Sequence, residues 1–302
     1  MTRACYNGTQ IYRRGDTMRK IAVISDVHGN VTALQAVIQD ARQQHCTDFW
    51  FLGDLFVPGP GAHDLLAMLD ALPITAYVRG NWEDGFLETV DGLIDETDPT
   101  DVYEVLIDDY VQAQLASTEI ERIRQLPLCQ TRTVDGLTFQ LSHNLPTKNS
   151  GQALSPTAPQ KGFDRLARSG ADVLIYGHVH HQLLRQSTAG QLVVNPGTVG
   201  MPFPHWTRFA TDLRAQYAVI TTHGQQSPDV DFRKVDYDRD AEIALARHRQ
   251  VPYPDLYADQ LTTGRVHTHD NNAIIRATKR WGYHDRLQHI IAVRAQQHPT
   301  QE

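Results

Sequence analysis

Apolar runs and helix-like patterns alternate along the first part of the chain. Short, continuously apolar runs predict buried strands, whereas apolar residues spaced three and four apart predict helices that pack on one face. The predicted strands span 20–26, 48–54 and 74–81, and the predicted helices span 31–43 and 62–72. Strands separated by helices are typical of βαβ units, so this region predicts a largely parallel sheet.

The alternation is interrupted at residues 86–126, which are acidic at first and helix-like after Asp101. Thr118 and Glu121 have the spacing of a capping box at a helix start, and Pro127 ends the helical pattern. We therefore expect a helical insertion within the domain.

A second set of strand-like runs follows the insertion, at 137–143, 172–178, 191–197 and 216–222. Residues 144–162 are rich in Pro, Ser and Gly and predict a long loop, a kind of segment that often lies over a binding site. The last part of the chain is polar and helix-like. The expected organisation is a flexible tail at 1–17, one domain at 18–238 and a helical extension, packed on that domain, at 239–302.

Composition narrows the class of protein. The chain has 302 residues, of which 41% are hydrophobic, enough for one large α/β domain with an extension. The formal net charge of −7 argues against binding to a nucleic-acid polymer. No apolar run approaches the roughly 18 residues of a membrane span, and the N-terminus lacks a secretory signal, so we expect a cytoplasmic protein with no membrane partner. The three cysteines lie in no CxxC pattern, so any metal must be held by histidine and oxygen ligands.

Five of the predicted strands end in side chains that can bind a metal ion. In an open parallel sheet, groups outside the carboxyl ends of the strands converge in one crevice. Imidazole and carboxylate without thiolate favour manganese, iron or zinc. Seven donors are too many for one ordinary site and suggest two ions, which together can generate a hydroxide nucleophile for displacement at phosphorus. The candidate ligands are Asp26, His28, Asp54, Asn81, His143, His178 and His180.

The motifs that carry these donors occur in the order "DVHGN", "GDL", "GNWE", "SHN" and "GHVH", followed by "NPGTVG" at 195–200. In this order, across residues 18–235, they resemble the signature of the calcineurin-like metallophosphoesterases. Within that family the chain is most similar to a small bacterial subgroup of phosphodiesterases and phosphatases.

The resemblance implies a four-layer α/β/β/α sandwich with a dinuclear metal centre. By motif position, Asp26, His28 and His180 would hold the first metal, and Asn81, His143 and His178 the second. Asp54 would bridge the two ions. The same resemblance implies that Asp54, Asn81 and His143 take part in catalysis.

Two positions depart from the family pattern. Trp82 follows Asn81 where many members carry a histidine that is thought to protonate the leaving group, and Asn144 follows His143 where glycine is common. Trp82, Asn81 and His143 are candidate substrate contacts. Asn30 is a candidate for substrate binding, although capping of the helix that begins at residue 31 is the commoner use of such a residue.

The aromatic stretch "MPFPHW" at 201–206 could stack on a base, but we expect Phe203 and Trp206 to pack against the core. The functional expectation is hydrolysis of phosphodiester or phosphoanhydride bonds in a small phosphorylated substrate, with nucleotides such as diadenosine tetraphosphate among the candidates. The alternatives are a serine/threonine protein phosphatase and a catalytically inactive metal-binding scaffold. A nuclease acting on polymeric DNA is disfavoured by the acidic composition.

Overall fold

Two five-stranded sheets and ten α-helices make up the computed structural model, which describes residues 18–167, 170–204 and 206–297. The expected tail at 1–17 lies outside the described residues. The strands are β1 (Arg19–Ile24), β2 (Asp48–Phe51), β3 (Ile74–Tyr77), β4 (Cys129–Val134), β5 (Leu137–Ser142), β6 (Val173–Tyr176), β7 (Gln182–Gln186), β8 (Leu192–Pro196), β9 (Ala215–Thr222) and β10 (Asp229–Val235).

The helices lie between and after these strands. They are α1 (Val31–Gln43), α2 (His63–Asp70), α3 (Asn81–Val90), α4 (Pro99–Gln112), α5 (Ser117–Arg124), α6 (Gln160–Asp164), α7 (Arg239–His248), α8 (Pro254–Thr263), α9 (Asn271–Trp281) and α10 (His284–Gln297). In the described part of the chain, no helix is long and apolar enough to cross a membrane.

The first sheet has the order β10-β9-β1-β2-β3 and the second the order β4-β5-β6-β8-β7. Strands β1, β2 and β3 are parallel, as are β5, β6 and β8, while β9, β10, β4 and β7 pair antiparallel with their neighbours. The carboxyl ends of both parallel sets therefore carry the loops that bear the candidate ligands.

The sheets pack face to face, because their strands carry apolar side chains on both faces. In β1, Ile21 and Val23 join a core shared with Phe139 of the second sheet, whereas Ala22 and Ile24 point to the helical layer. This alternation follows the two-residue period of a strand. A separate apolar cluster covers the outer face of the second sheet. The expected four-layer α/β/β/α sandwich is confirmed.

The C-terminal extension packs against the sandwich. The carboxylate of Glu242 in α7 accepts hydrogen bonds from the backbone N–H groups of Val31 (3.2 Å) and Thr32 (2.9 Å), at the start of α1. Tyr257 in α8 donates to the same carboxylate at 3.1 Å. A carboxylate at this place satisfies N–H groups that the first helical turn leaves free and interacts favourably with the helix dipole.

Several local predictions need correction. Helix α5 begins at Ser117, and it is Glu119, not Glu121, whose side chain accepts from the backbone N–H of the capping residue Ala116 (2.8 Å). The predicted capping box of Thr118 and Glu121 is therefore wrong. The helical insertion begins earlier than expected: β3 ends at Tyr77 and α3 starts at Asn81, the last residue of the predicted third strand. Strands β4, β7 and β10 were not predicted.

Candidate metal centre

The candidate ligands lie in turns that directly follow the parallel strands, at the edge where the two sheets meet. The turns are held together by backbone hydrogen bonds, including Asp26 N–H to Gly53 O (3.0 Å) and Gly177 N–H to His143 O (2.9 Å). Residues with positive φ, between 51° and 67°, are frequent here. This left-handed region is costly for residues other than glycine and clusters at functional sites. The ligand candidates that adopt it are Asp26, His28, Asp54, His178 and His180.

Close glycine packing brings the turns together. A side chain on Gly80 would place its Cβ 2.1 Å from Asp54 Oδ1, and one on Gly177 would place it 2.1 Å from Ser25 Oγ. Neither contact is sterically possible, so glycine is required beside these ligands.

The first group of donors consists of Asp26, His28 and His180, all buried. Asp26 Oδ1 lies 3.1 Å from His180 Nε2 and 3.9 Å from His28 Nε2. The two Nε2 atoms are 3.2 Å apart. Three atoms that can each present a lone pair therefore face one another.

The second group consists of Asp54, His143 and His178, with Asn81 beside them. Asp54 Oδ2 lies 3.1 Å from His143 Nε2 and 3.8 Å from His28 Nε2 of the first group. Asn81 Oδ1 lies 3.1 Å from His143 Nε2 and 2.8 Å from His178 Nδ1. Asp54 thus lies between the groups, where the resemblance places the bridging ligand.

Backbone carbonyls orient three of the imidazoles. The Nδ1 atoms of His28, His143 and His180 lie 2.9, 2.7 and 2.7 Å from the carbonyl oxygens of Val57, Leu52 and Met201. A carbonyl oxygen can only accept, so each Nδ1 carries the proton. In the neutral ring, Nε2 then has its lone pair directed at the cluster, an arrangement typical of metal-binding histidines.

The pKa values of the cluster favour metal binding at His28, His178 and Asp26, whereas His143 is protonated when no metal is bound. Burial lowers the pKa of His28 and of His178 to about 4, which keeps both neutral. Burial alone would raise the pKa of Asp26 and lower that of His143. The charges of neighbouring histidines instead hold the Asp26 pKa well below its usual range, and Asp54 raises the His143 pKa to about 10. His143 therefore carries a proton that a bound metal would replace.

These residues fit a pair of divalent metal ions. Asp26 Oδ1 is buried and has no hydrogen-bond partner among the described residues, although a buried carboxylate oxygen is costly to leave unpaired. His28 is neutral with its proton on Nδ1, so the lone pair of its Nε2 faces the cluster that contains Asp26 Oδ1 and His180 Nε2. A cation at this place would satisfy all three atoms. Carboxylate, amide and imidazole donors suit manganese, iron or zinc.

Glu83 is a supporting residue whose role the sequence did not reveal. Its buried carboxylate accepts from the backbone N–H groups of Asp54 (2.8 Å), Leu55 (2.7 Å) and Gly80 (2.7 Å). One side chain thereby links the turn of the bridging candidate to the start of α3. The available signal was its place three residues after Gly80, the spacing of a capping-box glutamate.

Trp82 and Asn30 have different positions relative to the centre. The Trp82 ring is half-buried, contacts His28 edge-on at 5.5 Å between centroids, and lines the adjoining cavity. Asn30 is fully buried, its Oδ1 accepts from Ala33 N–H (3.0 Å), and its Nδ2 donates to Tyr237 (3.1 Å). Of the two predicted roles of Asn30, the structure shows the cap of α1 and not a contact with substrate.

The metal centre lies between two openings. The acidic cavity, about 460 Å³, is lined by Trp82, Asp84, Gly85, Glu88, Glu104 and Asp108, by Asn149 and Ser150, and by Val266, Thr268 and His269 of the extension. The aromatic groove, about 890 Å³, is lined by Phe203, Trp206 and Phe209 and by parts of the loop at 151–157. His178, His180 and Phe203 border both.

The aromatic stretch behaves differently at its two ends. The Phe203 ring packs on the imidazole of His180, with centroids 4.8 Å apart. Trp206 is 59% exposed and Phe209 is 63% exposed. The expectation that both Phe203 and Trp206 pack on the core is therefore wrong for Trp206.

A four-layer sandwich with a histidine- and carboxylate-rich centre at the strand ends defines a metallophosphoesterase fold. The model of the calcineurin-like phosphoesterase superfamily domain matches residues 19–225, and the chain belongs to this superfamily. It is accordingly a metal-dependent phosphoesterase.

Similar proteins from other organisms share this fold at low identity. An uncharacterized protein of Methanocaldococcus jannaschii is 23% identical over 261 residues, which cover 81% of this chain and 98% of that protein. The metallophosphoesterase from Sphaerobacter thermophilus is 22% identical with a TM-score of 0.60, covering 82% of this chain and 100% of that one. A hypothetical protein from Pyrococcus horikoshii is 17% identical with a TM-score of 0.64, covering 82% and 98%. These structures support the fold assignment.

Proposed function

We propose that the protein hydrolyses a phosphodiester or phosphoanhydride bond of a small substrate with the help of two divalent metal ions. The observation that carries the proposal is the convergence of six carboxylate and imidazole side chains in two groups of three, with Asn81 beside the second group. In the first group, Asp26 Oδ1 has no hydrogen-bond partner among the described residues. Two bound ions would lower the pKa of water to supply a nucleophile and would stabilise the charge that develops at phosphorus. Manganese, iron and zinc are the proposed metals.

The chain's own side chains orient the reaction. Asn81 lines the acidic cavity next to the centre, and its neutral amide would bind there without repelling an anionic phosphate. Trp82 cannot donate a proton to a leaving-group oxygen, because the indole N–H is not acidic. The exposed His63 pairs with Glu119 (2.7 Å) and does not line either opening. A substrate with a good leaving group is therefore favoured.

The openings support a small substrate. Cavities of about 460 and 890 Å³ are of the size that holds small molecules. The exposed Trp206 and Phe209 offer faces on which an aromatic ring can stack, which supports a nucleotide, with diadenosine tetraphosphate among the candidates. A cytoplasmic location with no nucleic-acid polymer and no membrane as partner completes the proposal.

The test is a metal-reconstitution assay. Protein stripped with a chelator is supplied with manganese, magnesium, zinc or iron and assayed on bis-p-nitrophenyl phosphate, p-nitrophenyl phosphate and diadenosine tetraphosphate. Metal-dependent turnover that is lost in Asp54→Ala and kept in His63→Ala supports the proposal. Binding of two ions per chain without turnover on any substrate contradicts it and favours the scaffold. Preference for a phosphoserine peptide over all three substrates favours the protein phosphatase.

A further inference from the structure

The acidic cavity has a charge that the hydrolysis of a phosphate ester does not require. Five carboxyl side chains line it: Asp54 at the metal centre and then Asp84, Glu88, Glu104 and Asp108. Among the described lining residues none is lysine or arginine, and His269 is the one imidazole besides the ligand candidates. Asp84 is paired with Arg79 (2.7 Å), whereas Glu88, Glu104 and Asp108 offer no positive charge to an anionic group.

The side of the acidic cavity that starts at the metal centre is formed by one face of α3. Asn81, Gly85 and Glu88 are spaced four and three residues apart, so they lie along the same helix face. Gly85 is about one helical turn, about 6 Å along the axis, from Asn81. Gly85 has no side chain, so the cavity is open at this position. A Cβ built on Gly85 would have Glu104 Oε2 as its nearest atom, at 3.8 Å.

Asp108 adds an unpaired acceptor to the same cavity. The residue is 2% exposed, and its Oδ2 accepts from the Thr89 hydroxyl at 2.8 Å. Its Oδ1 has no hydrogen-bond partner among the described residues. A buried oxygen of this kind calls for a donor.

A metal ion does not suit this cluster. The two groups of three donor atoms found within 4.8 Å of one another in the described residues are those of the metal centre, and neither contains Glu88, Glu104 or Asp108. Carboxyl groups spread around a cavity match a molecular cation with several N–H donors better than a single ion.

We propose that the acidic cavity binds the primary ammonium group of an aminoalkyl arm on the substrate, with Glu104 and Asp108 as its acceptors. The inference rests on the proposed function, whose substrate class it narrows to phosphoesters with an alkylammonium group two or three carbons from the phosphate. The one-turn separation between Asn81 and Gly85 sets that length. A polyphosphate chain extending into this cavity is disfavoured.

The electrostatics of the empty cavity agree with this occupant. Burial raises the pKa of Glu104 to about 7, with further contributions from the nearby carboxylates of Asp101, Glu88 and Asp98. Burial also raises the pKa of Asp108 well above its usual value. An ammonium group would stabilise both carboxylates and lower these pKa values.

The C-terminal extension completes the cavity. Val266, Thr268 and His269, in the loop between α8 and α9, line the side opposite α3. The Thr100 hydroxyl of α4 donates to the Thr268 carbonyl at 3.1 Å, which ties this loop to the helix that carries Glu104 and Asp108. The extension thereby acquires a role in substrate selection.

The test compares two isosteric diesters, p-nitrophenyl 2-aminoethyl phosphate and p-nitrophenyl propyl phosphate, in which a methyl group replaces the ammonium. The metal-loaded enzyme is expected to hydrolyse the aminoethyl ester with a kcat/KM at least about tenfold higher, as a charge-assisted hydrogen bond provides. Glu104→Gln and Asp108→Asn should each reduce this preference, because each variant removes a carboxylate acceptor of the ammonium group. Glu121→Gln, on the exposed face of α5, should change neither rate.

Binding separates failure of this inference from failure of the proposed function. Titration of metal-loaded protein with 2-aminoethylphosphonate and propylphosphonate, followed by calorimetry, requires no turnover. Preferential binding of the amine, lost in Glu104→Gln, supports the cavity assignment even if neither ester is hydrolysed, an outcome that would contradict only the hydrolase. Equal affinities and equal rates, or a preference that survives in both Glu104→Gln and Asp108→Asn, overturn the inference. Thermal melting of each variant shows that it is folded.

Discussion

The metal centre and the walls of its two openings satisfy their polar atoms in different ways. In the centre, the imidazoles of His28, His143 and His180 are buried and bonded to backbone carbonyls, and the unpartnered Asp26 Oδ1 of the described structure faces the proposed metal. In the walls, Asp108 Oδ1 lacks a partner in the described structure, and Trp206 is largely exposed. The backbone therefore orients the ligand side chains before substrate binds. The side chains that line the two openings gain their remaining contacts only when a substrate is bound.

The strongest test of this contrast is removal of a ligand from the centre. His143→Ala removes an imidazole that faces both Asp54 and Asn81, and we expect kcat/KM to fall on the order of 10³-fold, because charge stabilisation by a metal is worth several kcal/mol. Activity after reconstitution, together with the metal content of the purified protein, checks this. His63→Ala serves as the control, and normal activity of the His143 variant would remove this residue from the centre.

A smaller effect is expected from the residue that supports the centre without being a ligand candidate. Glu83→Gln keeps the shape but exchanges an acceptor oxygen for an amide donor facing backbone N–H groups. Metal affinity should fall about 10- to 100-fold, as is typical when an outer partner of a metal ligand is lost. Metal titration measures the loss. An unchanged affinity would show that the Asp54 turn holds its shape without Glu83.

In the aromatic groove, the expected effect is smaller again and falls on substrate binding. Trp206→Ala should raise KM roughly tenfold for an ester with an aromatic group, because stacking on one ring is worth about 1–3 kcal/mol, and should leave kcat unchanged. Steady-state kinetics with a nucleotide ester and an alkyl ester separate stacking from a general disturbance. A fall in kcat with both esters would place Trp206 with the centre instead of the walls.

The smallest expected effect is on stability in the acidic cavity. The pKa of Glu104 is raised from 4.5 to about 7 in the folded protein. The unfolded chain therefore loses its proton first as pH rises from about 4.5 to 7, and the folded state is destabilised over that window. Glu104→Gln should raise the free energy of unfolding by roughly 1–3 kcal/mol at pH 8 and leave it unchanged at pH 4. Urea unfolding at the two pH values measures this, and an equal change at both would contradict an ionisation effect.

The sequence predicted the buried strands and α1 better than it predicted the edge strands of the two sheets. Helix α1 was predicted with the bounds observed, because its apolar residues recur on one face beside a polar cap. Three of the four edge strands, β4, β7 and β10, were missed. An edge strand pairs on one side and is partly exposed, so it lacks the continuous apolar run that marks a buried strand.

The candidate site was predictable in part for a related physical reason. Its ligand candidates follow buried strands in short motifs, so their convergence could be expected from sheet geometry alone. The acidic cavity combines Glu88, Glu104 and Thr268, from three distant segments with no common motif. Only the packing of α3, α4 and the loop before α9 brings them together, and the chain order does not reveal that packing.

The position of that loop also sets an order of assembly. During synthesis the ligand candidates, from Asp26 to His180, leave the ribosome first, and β9, which completes the first sheet beside β1, follows. Residues 266–269, which close the acidic cavity, come last of these. The nascent chain therefore contains all of its ligand candidates before the residues that close the acidic cavity are synthesised.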